Sequence, residues 1–167
     1  MQRRTFLSIT LGVGSAALVS RIGSGKESAV SSKAAESFEI TKTEAEWRKV
    51  LSPAAFEVLR HSGTERPGAS PLNNEHRAGT FFCAGCDLAL FSSTAKFESG
   101  TGWPSFTAPL PDAVRTSTDS SYFQTRTEVH CRRCGGHLGH VFDDGPRPTG
   151  KRYCMNGVAM VFRPSAG

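Results

Sequence analysis

The pattern of hydrophobic and polar positions changes near residue 64. Before that point the signals are helical: residues 43–46, Thr-Glu-Ala-Glu, form a capping-box sequence, and Trp47 opens the apolar face behind it. Ser52 and Pro53 suit the cap and first position of a second short helix, which Gly63 ends. The sequence therefore predicts two short helices at the amino-terminal side of the domain, with Trp47 in the core.

After residue 64, short apolar runs alternate with turn residues such as Gly, Pro, Asp and Ser. The runs are 80–82, 88–91, 122–125, 138–142 and 158–162. This pattern predicts a mainly β fold, with antiparallel sheets of short strands following the two helices. The stretches 64–79 and 98–120 have no strong period, which predicts long loops that carry function.

Residues 1–37 differ in composition from the rest and predict a leader and linker, so that the folded domain covers 38–167. Residues 3–7 read Arg-Arg-Thr-Phe-Leu and resemble a twin-arginine export signal. The apolar run 7–19 is shorter than the ~20 residues that span a bilayer. We therefore expect export by the twin-arginine route to the periplasm or another extracytoplasmic space of a bacterium. A tail that merely contains two arginines is one alternative, and an uncleaved leader acting as a membrane anchor is another.

The positive charge of the chain belongs mostly to this leader. The net charge is +5, and residues 1–34 hold five of the 20 basic residues but only one of the 15 acidic ones. The remainder is close to neutral, at +1. No basic surface is left for nucleic acid, so we expect no nucleic-acid partner.

The five cysteines divide into four and one. Two C-x-x-C pairs, Cys83 with Cys86 and Cys131 with Cys134, suit one structural zinc ion held by four thiolates. The 44 residues between the pairs exceed the usual ribbon spacing of ~15–20, which predicts that the metal joins two distant parts of the sheet. Redox or disulfide pairs, a rubredoxin-like iron site and a nucleic-acid-binding zinc ribbon are the alternatives. A chain that takes up zinc before export would keep its thiolates bound to the metal in an oxidising compartment.

The fifth cysteine, Cys154, is a candidate nucleophile. Two further candidates for chemistry, His137 and His140, follow the second C-x-x-C directly. Residues three apart on a strand face opposite sides, so both rings converge only if the chain bends at Gly139. A histidine in the metal shell, or two purely structural histidines, are the alternatives.

Three longer motifs resemble the B-type methionine sulfoxide reductases. They are Ser-Gly-Thr-Gly-Trp-Pro-Ser-Phe at 99–106, His-Leu-Gly-His-Val-Phe-Asp-Asp-Gly-Pro at 137–146 and Pro-Thr-Gly-Lys-Arg-Tyr-Cys-Met-Asn at 148–156. The similarity runs from about Trp47 to Pro164 and includes both C-x-x-C pairs. It implies the fold of that family and thiol-dependent reduction of methionine-R-sulfoxide in oxidised proteins.

The resemblance also implies a role for each site residue. Cys154 would attack the sulfoxide and become a sulfenic acid. His137 and His140 would activate the thiolate and protonate the sulfoxide oxygen. Asn156 would be a polar partner in the pocket, and Trp103 would pack on the S-methyl group of the substrate. A plain core role is the alternative for Trp103.

One position departs from the family pattern. Many members have a second, resolving cysteine two residues before this tryptophan, where the chain has Thr101. The prediction is that no internal thiol reacts with the sulfenic acid, and that a thioredoxin-like protein or a small thiol reduces it. We expect a monomer. The rival functions are a zinc-stabilised binding module with an inert Cys154, and a disulfide oxidoreductase that uses a C-x-x-C.

Overall fold

The structure is a computed structural model that describes residues 37–166. The expected twin-arginine leader and nearly all of the linker lie outside the described residues. None of the helices in the described range is long and apolar enough to cross a membrane.

The described part of the chain begins with two short helices, as the capping signals predict. Helix α1 is Glu44–Val50, and the Thr43 side chain and the Glu46 side chain cap it reciprocally. Helix α2 is Pro53–His61 and is capped by Ser52. It ends where the next residue adopts a left-handed backbone.

Among residues 37–166 all strand pairings are antiparallel, and the strands form two sheets. The first sheet has the order β2-β1-β9, with β1 at Gly79–Cys83, β2 at Ala89–Ser92 and β9 at Met160–Pro164. The second sheet has the order β3-β4-β8-β7-β6-β5. Its strands are β3 Lys96–Phe97, β4 Ser105–Phe106, β5 Val114–Asp119, β6 Arg126–Cys131, β7 His137–Phe142 and β8 Arg152–Met155. The mainly β fold with antiparallel short strands and two leading helices is confirmed.

Aromatic side chains join the two sheets in one core. Phe106 of the second sheet stacks on Phe91 of the first, with ring centroids 4.3 Å apart, and meets Phe81 edge-on at 4.9 Å. All three are fully buried. Trp47 and Phe56 of the helices are also buried, as expected of core residues. This close packing holds the second sheet rigidly, so it can support the side chains that do not point into the core.

Two of the segment predictions were wrong. Residues 122–125 form no strand, because a 3₁₀ turn at Ser121–Phe123 lies at the tip of the β5–β6 hairpin. The stretch 98–120 contains β4 and β5 rather than loop alone. Strand β5 is a half-exposed edge strand, so it carries too few apolar residues to be recognised from its pattern.

Candidate active site and metal centre

The register of the second sheet places Cys154 directly beside His140. Cys154 of β8 pairs with His140 of β7 on one side and with Ser105 of β4 on the other. His140 in turn pairs with Glu128 of β6, which pairs with Ser117 of β5. Directly paired residues point to the same face of a sheet, so these five polar side chains form one row across it.

A bulge in β7 brings the second histidine to the same side. His130 pairs with His137 and Val129 pairs with Gly139, so one residue of β7, Leu138, has no partner on β6. The extra residue reverses the alternation of side chains. The rings of His137 and His140 therefore lie together, with centroids 5.3 Å apart and planes at 65°. The two rings therefore meet, as they can only if the backbone is irregular near Gly139.

Gly139 allows β7 to approach β8 closely. A Cβ atom at this position would lie 2.1 Å from the carbonyl oxygen of Cys154 and 3.0 Å from the Cα of Met155. Both neighbours are backbone atoms of the strand that carries the thiol. A side chain here would push that strand away.

We expect Gly139→Ala to lower activity by about 10²-fold, because a shift of ~1 Å at the reacting sulfur is enough to produce that loss. The free energy of unfolding should fall by about 1–3 kcal/mol. Thermal unfolding and the rate of the reaction at Cys154, measured on the same preparation, check both values. Gly150→Ala controls for backbone strain alone, because Gly150 also has a positive φ, of 68°, but a Cβ there meets nothing within 4 Å. Wild-type activity in Gly139→Ala would contradict the assignment of this contact.

Each histidine is hydrogen-bonded to a carboxylate. Nδ1 of His137 lies 2.7 Å from Oε1 of Glu128, and Nε2 of His140 lies 2.8 Å from Oδ2 of Asp119. The hydrogen bond to His137, aided by one from Ser117, lowers the pKa of Glu128 to about 2. Hydrogen bonds from Ser121 and His140 lower the pKa of Asp119 below its usual value. Both carboxylates are therefore ionised at neutral pH and orient the two rings.

The two imidazoles differ in their surroundings. Burial lowers the pKa of His140, and the hydrogen bond to Asp119 offsets part of that shift. His137 is 4% exposed, and within residues 37–166 no hydrogen-bond partner reaches its buried Nε2. Neither ring belongs to the metal cluster of the described chain. The alternative in which a histidine joins the metal shell is thus not supported.

Two further side chains flank the thiol. Oγ1 of Thr101 lies 3.9 Å from Sγ of Cys154. Arg152 precedes Cys154 by two residues, so both point to the same face of β8. The side chain of Asp144 and then the nearby Cys154 raise the pKa of Arg152. Sequence reasoning missed Arg152, although the two-residue spacing on a strand next to a candidate nucleophile is a usable signal.

Arg152 is held firmly in this position. Its Nε and Nη2 bond the two carboxylate oxygens of Asp144 at 2.9 and 2.8 Å. Its guanidinium carbon lies 4.4 Å from the ring centroid of Phe142. Arg152 is therefore a fixed cation on the same face of β8 as Cys154.

The thiol opens into a cavity of about 130 Å³. Its lining residues are Thr64, Trp103, Arg126, Gly139, His140, Phe142, Cys154 and Asn156. A larger cleft of about 590 Å³ shares Thr64, Arg126 and His140 with this pocket and also includes His137. The cavity is small and partly aromatic, which suits a single side chain, while the adjoining cleft is mainly polar.

Trp103 and Asn156 both hold the loop that follows α2. Nε1 of Trp103 donates to the carbonyl oxygen of Glu65 at 3.1 Å. Oδ1 of Asn156 accepts from the backbone N–H of Glu65 at 3.0 Å, and its Nδ2 donates to the carbonyl oxygen of Leu138 at 3.1 Å. The Asn156 amide thus bridges this loop and β7 while forming part of the pocket wall.

Glu65 itself is a site-forming residue that sequence reasoning did not single out. Its carboxylate accepts hydrogen bonds from the backbone N–H groups of Gly157 and Val158. These groups begin the 3₁₀ turn Gly157–Ala159, just after the strand with Cys154. Because the partners lie more than 90 residues apart, no local signal reveals this contact.

The four remaining cysteines form a compact cluster. Their sulfur atoms all lie within 4.8 Å of one another, with Cys83 and Cys134 at 3.7 Å and Cys86 and Cys131 at 3.4 Å. A tetrahedron with metal–sulfur bonds of about 2.3 Å has edges of about 3.8 Å. The donor set and spacing therefore fit one tetrahedral metal ion. No disulfide joins any of the five cysteines, including those of the two C-x-x-C pairs.

The cluster joins the two sheets. Cys83 ends β1 of the first sheet and Cys131 ends β6 of the second, while the other two cysteines lie in the turns that follow. The sequence led us to expect a link between two parts of one sheet, and the link instead runs between separate sheets. A cation would stabilise all four as thiolates.

Comparison with known proteins agrees with the geometry. The SelR domain model matches residues 51–164. This chain belongs to the SelR domain family. Its relatives include proteins named peptide methionine sulfoxide reductase MsrB. One from Methanosarcina barkeri is 55% identical over 125 residues, which cover 74% of this chain and 88% of the relative. One from Pseudomonas putida is 54% identical, covering 77% of this chain and 97% of the relative. One from Leptospira interrogans is 48% identical, covering 75% and 97%.

The match to the SelR domain covers nearly all of the residues that the structure describes. The matched range includes both C-x-x-C pairs, the two histidines, the pocket tryptophan and Cys154. The motif-based identification of the family is confirmed.

Proposed function

We propose that this chain is an oxidoreductase that reduces methionine-R-sulfoxide in proteins to methionine, with thiols as the source of electrons. The observation that carries the proposal is the pairing of Cys154 with His140 across the sheet, at a pocket that Trp103 also lines. The names of the SelR relatives support the same reaction.

The proposed first step transfers oxygen from the substrate to Cys154. The Cys154 sulfur attacks the sulfoxide sulfur, and the thiol proton reaches the sulfoxide oxygen through the imidazoles of His137 and His140. The oxygen moves from the substrate sulfur to the Cys154 sulfur as the sulfur–oxygen bond of the substrate and the transient bond between the two sulfur atoms break. Methionine leaves, and Cys154 carries the oxygen and its proton as a sulfenic acid. Glu128 and Asp119 support this step because an ionised carboxylate holds each ring in place. Trp103 offers an aromatic face to the S-methyl group.

The proposed second step uses an external thiol. Thr101 occupies the position beside Cys154, and the other four cysteines belong to the metal cluster. We propose that no resolving cysteine exists in the chain. Two thiol groups of a thioredoxin-like protein, or of small thiols, would reduce the sulfenic acid to the thiol, releasing water and forming a disulfide in the reductant.

The proposed metal is zinc, one structural ion per chain. A closed set of four sulfur donors with no open position favours a structural role. The residues that would hold it are Cys83, Cys86, Cys131 and Cys134. The ion would join the two sheets, and we assign it no part in the chemistry at Cys154.

We further propose that the chain is exported through the twin-arginine route and acts as a monomer in a periplasmic or similar extracytoplasmic space. Arg3 and Arg4 before an apolar run support the route. Any contact with a membrane would then be through an uncleaved leader. A thioredoxin-like reductant would have to reach the same compartment.

The epimers of the substrate test the proposed activity. We expect the metal-loaded chain with dithiothreitol to reduce N-acetyl-methionine-R-sulfoxide and to leave the S epimer unchanged. Chiral chromatography of the remaining sulfoxide measures both at once. Turnover of neither epimer would reject the proposed function and favour a zinc-stabilised binding module. Equal turnover of both would contradict the assignment of Trp103 and His140 to a pocket that fixes the substrate.

A further inference from the structure

A chain of three hydroxyl groups leads from the core of the domain to Cys154. Oγ of Ser105 lies 2.7 Å from Oγ of Ser99, which lies 2.8 Å from Oγ1 of Thr101. Thr101 then contacts the Cys154 sulfur at 3.9 Å. Ser105 is fully buried, and the chain becomes partly exposed toward the thiol. These contacts are within the range of O–H···O bonds and of a longer O–H···S bond.

Each hydroxyl has one proton, so the direction of one bond fixes the others. The Ser105 hydroxyl can donate to the carbonyl oxygen of Trp103 at 3.1 Å. Ser99 then donates to Ser105, Thr101 donates to Ser99, and the Thr101 oxygen is left to accept a proton from Cys154. If every hydroxyl rotates, Ser105 donates to Ser99, Ser99 to Thr101, and Thr101 donates to Cys154.

The two directions match different states of the sulfur. In the first direction, the Thr101 oxygen accepts a hydrogen bond from a thiol or from the O–H group of a sulfenic acid. The second provides a donor for the thiolate, and hydrogen bonds to charged groups are the stronger kind. In both directions Ser99 keeps a full set of partners, because it also accepts from the backbone N–H of Thr101 at 3.4 Å. The chain of hydroxyl groups can therefore reverse without leaving the partly buried hydroxyl of Ser99 unsatisfied.

We propose that Thr101 is a hydrogen-bonding partner of Cys154, oriented by Ser99 and Ser105, which donates to the thiolate and accepts from the neutral sulfur species. Thr101 is thus an active part of the site, in addition to marking the absence of a resolving cysteine. The effect on the thiolate is independent of the substrate. Its consequence for turnover rests on the proposed function.

Alkylation of Cys154 tests the proposal without any sulfoxide. The metal-loaded, full-length chain is treated with iodoacetamide at pH 7, and mass spectrometry of the peptide that contains Cys154 gives the rate. We expect Thr101→Val, which keeps the shape but lacks the hydroxyl, to react about tenfold more slowly, the loss that follows when a hydrogen bond to a charged group is removed. Thr101→Ser keeps the hydroxyl and should stay within about twofold of the wild type.

Thr107→Val is the matched control for the loss of a threonine hydroxyl. Oγ1 of Thr107 donates to the carbonyl oxygen of Ala95 at 3.3 Å and lines neither the pocket nor the cleft. The alkylation rate of Cys154 in the Thr107→Val variant should equal that in the wild type. Ser99→Ala removes the group that orients Thr101 and should slow alkylation about threefold. This second variant keeps the proposal testable if Thr101→Val does not fold.

The outcomes distinguish an effect of the Thr101 hydroxyl from an effect of its methyl group. They also test this proposal separately from the proposed function. Alkylation of Thr101→Val or Ser99→Ala at the wild-type rate would overturn the proposal. So would a Thr101→Ser variant as slow as Thr101→Val, because the shape of the side chain would then be the cause. A slow Thr101→Val with a normal Thr101→Ser supports the hydroxyl even if no sulfoxide is turned over. In an active enzyme, the turnover rate of the Thr101→Val variant should fall by the same ratio.

Discussion

Replacement of Cys154 by serine is expected to remove sulfoxide reduction, by roughly 10⁴-fold or more, while leaving the fold intact. A serine hydroxyl is hardly ionised at neutral pH, and it cannot accept the sulfoxide oxygen to form a sulfenic acid. Cys154 is partly exposed and contributes no sulfur to the metal cluster, so the free energy of unfolding should change by less than about 1 kcal/mol. Activity toward the R epimer with dithiothreitol is the direct measurement.

The control for this variant is its metal content and thermal midpoint, both of which should equal those of the wild type. If the Cys154→Ser variant loses both activity and metal, misfolding would explain the loss of activity. Activity that survives the change would contradict the role of Cys154. It would favour a disulfide oxidoreductase working through one of the C-x-x-C pairs.

The second large effect is expected from the metal cluster. Cys131→Ser should lose the bound metal and lower the free energy of unfolding by about 4 kcal/mol or more, because metal binding to such sites is coupled directly to folding. The thermal midpoint of a domain of this size should then fall by roughly 15 °C. Cys131 ends β6 and Cys83 ends β1, so the loss would separate the two sheets at this end.

Metal analysis and thermal unfolding measure this effect, and a strong chelator should reproduce it in the wild type. Cys154→Ser serves again as the matched cysteine-to-serine control, with one metal ion per chain and an unchanged midpoint. A Cys131→Ser variant that retains both the metal and the wild-type midpoint would contradict the structural role of the cluster.

Local signals determined what the sequence could predict. Thr43 and Glu46 identify the start of α1 because a capping box is complete within four residues. The two C-x-x-C pairs predict the candidate metal ligands because two such pairs together are typical of four-thiolate sites. The long motifs around Trp103, His140 and Cys154 identify the SelR family, and these three residues line one pocket.

The features that position the site depend on pairing between distant strands. The bulge at Leu138, which brings His137 and His140 together, exists only in the register of β6 against β7. Glu128 and Asp119 are ordinary acidic residues in the sequence, and only the sheet reveals that they orient the two rings. Nothing local marks them.

Strand composition can also mislead. Residues 122–125 contain the β-favouring residues Tyr, Phe and Thr, but they include part of the turn at the hairpin tip. There Phe123 is fully exposed and has a left-handed backbone with φ of 59°. The closing of the β5–β6 hairpin overrides the intrinsic preference of these residues.

The most direct test of the account is a single turnover without reductant. The chain is mixed with excess R-sulfoxide, quenched, trapped with dimedone and analysed by peptide mass spectrometry. We expect one methionine formed per chain and a sulfenic acid adduct on Cys154 alone, whereas a Thr101→Cys control should form a disulfide between positions 101 and 154. A disulfide from Cys154 to Cys83, Cys86, Cys131 or Cys134 in the wild type, or methionine formed without oxidation of Cys154, would contradict the account.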